Sequence, residues 1–261
     1  MTDETGSNEN TIHDPNVMEE QPLVHHLLEL RSCLLRSLLS VLIVFACLFY
    51  FANDIYEFIS APLQALLPEN SSMIATDVTS PFLTPFKLTL FVSAFLAAPY
   101  ILYQLWSFIA PALYKEEKKV ALPLFFSSIL LFYLGIAFAY YVVFPLVFSF
   151  FTSVGPKSVA VMTDIGSYLS FVLKIFFAFG VAFEIPVATL LLISSGMISP
   201  TNLAKKRPYV IVSCFVIGMF LTPPDVISQL MLALPMWLLF ELGLFFGKYV
   251  EPKDVDFEEH M

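Results

Sequence analysis

Six apolar runs, most of them long enough to cross a bilayer, constrain this chain more than any other feature. They cover residues 33–52, 86–109, 120–144, 168–193, 208–221 and 226–247. A hydrocarbon core about 30 Å thick is crossed by about 20 helical residues. A segment inside it must satisfy its backbone groups internally, as a helix or as part of a closed barrel. These runs are too long and too uniformly apolar for barrel strands. They predict an all-α integral membrane protein with six transmembrane helices. Bulk composition agrees: the chain is 58% apolar and 13% charged, whereas ordinary soluble domains are about a quarter charged.

Charge divides the chain into three parts. Seven acids lie in the first 29 residues and five more lie from Glu251 onward. Residues 1–20 are expected to form a disordered acidic tail, 21–247 the six-span membrane domain, and 248–261 a second tail. No basic region followed by an apolar core opens the chain, so a cleaved leader is not expected. Sidedness follows from Lys and Arg. Arg31 and Arg36, then Lys115, Lys118 and Lys119, then Lys205, Lys206 and Arg207, then Lys248 and Lys253 all fall on one side of six alternating spans. The other side holds Lys87 and Lys157. The positive-inside rule makes the first side cytoplasmic, with both termini there.

The outer loops are unequal. Residues 53–85 form a long one containing Pro62, Pro68, Pro81 and Pro85, expected to hold short surface helices, whereas 222–225 is barely a turn. Pro208 to Leu221 gives about 21 Å of helix, too short for the bilayer unless the membrane thins there or the helix extends back through Lys205–Arg207. The third run is expected to end near Pro145. No internal repeat relates the two halves, which argues against an inverted-repeat transporter.

Chemistry-bearing motifs are absent. There is no His-Glu-x-x-His, no phosphate-binding glycine loop and no dinucleotide fingerprint. His25 and His26 are adjacent and diverge on a helix; His13 and His260 lie in the tails. No metal site, cofactor or catalytic set is expected, and nothing points to nucleic acid. Cys33, Cys47 and Cys214 sit in apolar runs and read as small packing residues.

A few charges need explaining. Along "PLVHHLLELRSCLLRSLL", Leu23, Leu27, Leu30, Leu34 and Leu38 share one helical face, while His25, Glu29, Ser32 and Arg36 share another. Glu29 sits near the cytoplasmic headgroups, where it either pairs with its own arginines or faces a ligand. Glu117, in "FIAPALYKEEKKVALP", lies at similar depth and is either a solvated loop acid or a second such ligand. Both acids can converge on one basic ligand. Glu184, in "FAFGVAFEIPVATLLL", is buried in an apolar run past the midplane, where a charge costs about 2.5–3.5 kcal/mol on insertion scales. It needs a partner, a wet groove or a proton. Pro186 is expected to bend that helix. Lys174, about 15 Å away along the helix, snorkels toward the outer surface instead.

The segments "HLLELRSCLLRSL", "FANDIY", "SAPL", "MIATDVTSPF", "LYQLWSFIAPALYKEE", "LLFYLGIAFAYYVVFPL", "FGVAFEIPVA", "KKRPYVIV" and "LTPPDVISQ" resemble, in order and spacing, the TatC subunit of the twin-arginine protein translocase. The resemblance runs from about Gln21 to Phe246. It implies a cupped six-span bundle with short fifth and sixth spans in the bacterial cytoplasmic membrane. It implies a receptor for twin-arginine signal peptides on folded export substrates, and the core of a translocase with TatB-like and TatA-like single-span partners and further copies of itself. Carried over by motif, Glu29, Arg31, Phe108 and Glu117 belong to the signal-peptide surface. Pro62 is an outer-loop position linked to assembly, and Glu184 is the polar position of the concave face. Tyr140, Thr222, Asp225 and Gln229 are embedded polar or partner-contact positions. Lys174 departs from the family, which carries an apolar residue there, and Glu116 adds an acid.

Guanidinium forks bind carboxylates bidentately. Two neighbouring arginines of an extended peptide point different ways, so two separated acids, Glu29 and Glu117, suit them. The alternative is a proton- or ion-coupled small-solute carrier with Glu184 as its titrating site. It lacks repeats and a second acid at matching depth.

Overall fold

The computed structural model describes residues 15–64, 73–109, 118–154, 163–222 and 226–250, with side chains over 27–59, 74–108, 122–150, 164–222 and 226–249. Helix α1 (Pro15–Leu48) passes through a 3-10 turn (Phe49–Phe51) into α2 (Ala52–Gln64), the helix expected in the first outer loop. Then come α3 (Ser80–Ile109), α4 (Lys118–Phe138), α5 (Phe144–Val154), α6 (Ile165–Ala182), α7 (Ile185–Ser194), α8 (Pro200–Lys205), α9 (Arg207–Leu221) and α10 (Val226–Val250). Five helical stretches are long and apolar enough to cross a membrane, and α9 is a shorter apolar helix. Two-residue strands β1 (Met73–Ile74) and β2 (Thr163–Asp164) pair in parallel.

Along α1 the polar residues face α3. Leu27, Leu34 and Leu38 are 63%, 61% and 56% exposed, while Glu29, Ser32 and Arg36 line a cavity against α3. This inverts the pattern of a soluble amphipathic helix. Lipid is as apolar as leucine, so nothing drives leucines inward, while polar groups gain by facing protein or water.

The third span does not end at Pro145. A π-helical segment, Ala139–Val143, joins α4 to α5, which continues to Val154. Pro145 has no N–H to donate, and its ring meets the carbonyl four residues back, at Tyr141. The widened π turn contains Tyr141, so the chain absorbs the proline and stays helical. The fourth span, expected as one helix, is two. It breaks at Phe183–Glu184, with Pro186 in the first turn of α7, where a missing N–H costs nothing.

Behind this break, α7 lies against α10 at very close range. A Cβ on Gly243 would overlap Thr189 Oγ1 and lie 2.8 Å from Pro186 Cα, and one on Gly247 would overlap Ile193 Cδ1. The two glycines, four apart, form a small-residue seam that lets backbones approach. The fifth span is short, as expected. Lys206 forms a turn between α8 and α9, so α9 does not extend back, and its 15 residues span about 22 Å. The sixth span is not short: α10 has 25 residues despite Pro235.

The main core gathers Val143, Phe144 and Val147 with Tyr168, Val172, Ile175, Phe176 and Phe179 of α6 and Leu232 and Met236 of α10. An apolar hollow of about 590 Å³ lies between Phe138, Phe183 and one face of α10, with Arg207, Glu241 and Lys248 at its rim. It adjoins a second hollow of about 310 Å³ through Phe138 and Pro235.

Asp164 fastens the segment that precedes α3 to the start of α6. As N-cap of α6 it accepts a hydrogen bond from Ser167 N at 2.8 Å. It also accepts from Thr76 N at 3.1 Å and Thr76 Oγ1 at 2.8 Å. The Ser167 and Thr76 backbone N–H groups, then the Thr76 hydroxyl, hold its carboxyl well below the usual carboxylate range.

Candidate functional site

Two of the residues expected to bind a peptide converge. Glu29 and Phe108 line one cavity of about 280 Å³ between α1 and α3, together with Ser32, Cys33, Arg36, Gln104 and Ser107. Its lining is mostly polar in a span that is otherwise apolar. Glu29 is exposed toward its mouth, and Gln104 is 6% exposed. Arg31 is exposed but is not among the lining residues. Glu117 lies outside the described residues. The helical stagger explains the lining: Glu29, Ser32, Cys33 and Arg36 recur at the three- and four-residue spacing of one face, and so do Gln104, Ser107 and Phe108 on α3. The cavity combines a carboxylate, a guanidinium, an amide and two hydroxyls beside an aromatic ring, groups that suit a polar, partly cationic ligand.

Glu184 occupies the joint between α6 and α7. Its Oε2 accepts from Ser128 Oγ of α4 at 2.6 Å, while buried Oε1 has no partner. The joint therefore ties α7 to α4 through one short hydrogen bond and leaves one oxygen of the carboxyl group unused. Phe183, next to it, lines the large apolar hollow. Across this region α4 and α6 touch closely: a Cβ on Gly135 would lie 2.5 Å from the carbonyl oxygen of Phe179.

Where α9 ends and α10 begins, polar residues brace the helix pair itself. Thr222 is buried, and its hydroxyl donates to Gly218 O at 3.0 Å. Gln229 Nε2 donates to Phe215 O at 2.7 Å, and Gly218 leaves room for its Cγ, 3.3 Å from where a Cβ would stand. Asp225 lies outside the described residues. Tyr140 sits in the π segment with its ring 4.8 Å from Tyr141 and 6.0 Å from Phe176. Pro62 falls within α2, and its side chain lies outside the described set.

Several of these contacts escaped the sequence reading. Gln104 and Ser128 were hidden as single polar residues within apolar runs. Arg207 forms a bidentate pair with Glu241, Nε to Oε1 at 2.7 Å and Nη2 to Oε2 at 2.8 Å. Glu241 went unremarked, although an acid inside the last apolar run was the available signal. Among the described residues no three His, Cys, Asp or Glu side chains gather to hold a metal ion.

Comparison with known proteins accounts for most of the chain. Residues 25–235 match the family model described as Sec-independent protein translocase protein (TatC). The chain is 63% identical over 240 residues to the TatC protein of Azotobacter chroococcum mcd 1, covering 92% of this chain and 94% of that one. It is 58% identical to that of Escherichia coli strain K12, covering 94% and 95%. A crystal structure described as the twin arginine translocase receptor TatC superposes with a TM-score of 0.78 at 42% identity, covering 86% of this chain and 99% of that one.

Proposed function

Because this chain belongs to the TatC family of Sec-independent protein translocase proteins, multi-pass membrane proteins of bacteria, we propose that it is the receptor that binds twin-arginine signal peptides. The observation that carries this reading is the polar cavity between α1 and α3, which unites Glu29 and Phe108 in an otherwise apolar span. Glu29 accepts one guanidinium of the pair. Glu117, on the segment that follows α3, accepts the other. Phe108 supplies a ring on which a guanidinium or an apolar leader residue packs. Arg31, exposed beside the cavity, limits how much positive charge gathers there.

In this reading both termini and the cavity face the cytoplasm, as the Lys and Arg distribution directs. The apolar part of the leader then runs toward the hollow flanked by Phe138, Phe183 and α10, with Glu184 and Ser128 offering the nearby polar contact. Thr222, Gln229 and Asp225 mark the outer end of α9–α10 as the place where single-span TatB-like and TatA-like subunits approach, with Tyr140 and Pro62 supporting assembly. Further copies of the chain complete the complex. The family does not favour the carrier alternative built on Glu184, since its members are protein translocase components.

The test is site-specific photo-cross-linking from positions 29 and 117 to a leader peptide in membranes. Adducts at both positions with an Arg-Arg leader, and their loss with a Lys-Lys leader, are expected. Equal adducts with both leaders contradict the reading.

A further inference from the structure

Reading the α1–α3 cavity as the leader-peptide site leaves one lining residue without a task. Gln104 is 6% exposed, and its side chain lines the cavity. No hydrogen bond among the described residues uses its amide. Its amide atoms are not among the buried, unpartnered ones of the described residues; they open into the cavity, where a ligand that hydrogen-bonds can reach them.

The charges say what kind of group it is. Glu29 and Arg36 both line the cavity, seven residues or about 10 Å apart along α1. Arg36 lies further into the apolar run. A guanidinium belongs at the Glu29 end, because Arg36 repels a second cation. The Arg36–Gln104 end instead suits neutral dipoles: guanidinium donates to a carbonyl, and a glutamine amide offers one acceptor and two donors. That combination matches the C=O and N–H of a peptide group. Ser32 and Ser107 add hydroxyls along the same wall.

We propose that Gln104, with Arg36, grips the main chain of the leader beside its arginine pair, while Glu29 reads the side chain. Gln104 is then a positioning residue whose contribution is independent of the side chains presented. The inference rests on the leader-peptide reading of the cavity.

The test uses the full chain in lipid nanodiscs, titrated with fluorescent synthetic leaders carrying Arg-Arg or Lys-Lys. Gln104→Met keeps the bulk and removes the amide. It is expected to weaken both leaders about tenfold, the loss of one well-made buried hydrogen bond, and to leave the Arg-Arg to Lys-Lys preference unchanged. Glu29→Gln is expected to collapse that preference. A second measurement needs no variant. A leader with one backbone ester in place of the amide beside the arginine pair is expected to bind the unaltered protein several-fold more weakly. Binding by Gln104→Met within twofold of the unaltered protein overturns the inference, as does a loss confined to the Arg-Arg leader or an ester scan with no weak position. Failure of the unaltered protein to bind the Arg-Arg leader overturns the cavity reading itself, a distinguishable result.

Discussion

Gly243→Ala tests whether the α7–α10 seam holds the broken fourth span in place. The added Cβ would overlap Thr189 Oγ1 and lie 2.8 Å from Pro186 Cα and 3.2 Å from Thr189 Cβ. Rotating Thr189 relieves the first overlap but forfeits its hydrogen bond to Pro186 O, 2.8 Å long, worth about 1 kcal/mol. The Pro186 contact is with backbone, so no rotamer relieves it, and overpacking of this kind costs about 1–3 kcal/mol. Alanine returns about 1 kcal/mol of helix propensity over glycine. The net expectation is a loss of about 2 kcal/mol, roughly a thirtyfold change in the folding equilibrium. Reversible unfolding in mixed micelles, followed by circular dichroism, reads this directly. Adding Thr189→Ala should recover part of the loss, because the Pro186 contact persists. A Gly243→Ala protein as stable as the parent, or more so, would refute the close-approach argument.

Other expectations follow from single contacts. Glu184→Gln keeps a hydrogen-bonding group opposite Ser128, so transport of an exported reporter should fall less than in Glu184→Leu; equal transport by the Leu variant and the parent removes Glu184 from the mechanism. Asp164 is held below its unfolded value by the Ser167 and Thr76 bonds. Its stabilisation is therefore present above the usual carboxylate range, about pH 4, and is lost as pH falls through the depressed value. Asp164→Asn should flatten that acid-side slope in unfolding experiments, and an unchanged slope contradicts the assignment. The Arg207–Glu241 pair is partly exposed, at 45% and 25%, so a double-mutant cycle with Arg207→Lys and Glu241→Gln should give a coupling under about 1 kcal/mol.

Much of the fold was legible because membrane spans announce themselves by length and apolarity, and the short fifth span was visible in the distance from Pro208 to Leu221. What misled was proline. Pro145 read as a helix end, yet the π segment absorbs it; Pro186 read as a bend, and the helix is interrupted beside it, at Phe183–Glu184. The same residue type has both outcomes because neighbouring packing decides which backbone groups are re-satisfied, and packing is not local in sequence. At the site, the α1 polar face and Glu184 stood out as charges in apolar surroundings. Gln104 and Ser128 did not, because a neutral polar residue in a span is common and only its neighbours across the helix pair give it meaning. The Gly243–Gly247 seam was written in the sequence, but its partner, α7, became identifiable only with the tertiary contacts.

The most direct test is equilibrium binding of a twin-arginine leader peptide to the protein in nanodiscs, comparing the parent with Glu29→Gln, Glu117→Gln and the double variant. Hydrogen bonds to charged groups are worth about 1.5–3 kcal/mol. Each single change should therefore weaken the Arg-Arg leader by about tenfold or more, and the double change further, with little effect on a Lys-Lys leader. A double variant that holds the Arg-Arg leader as tightly as the parent would contradict the account.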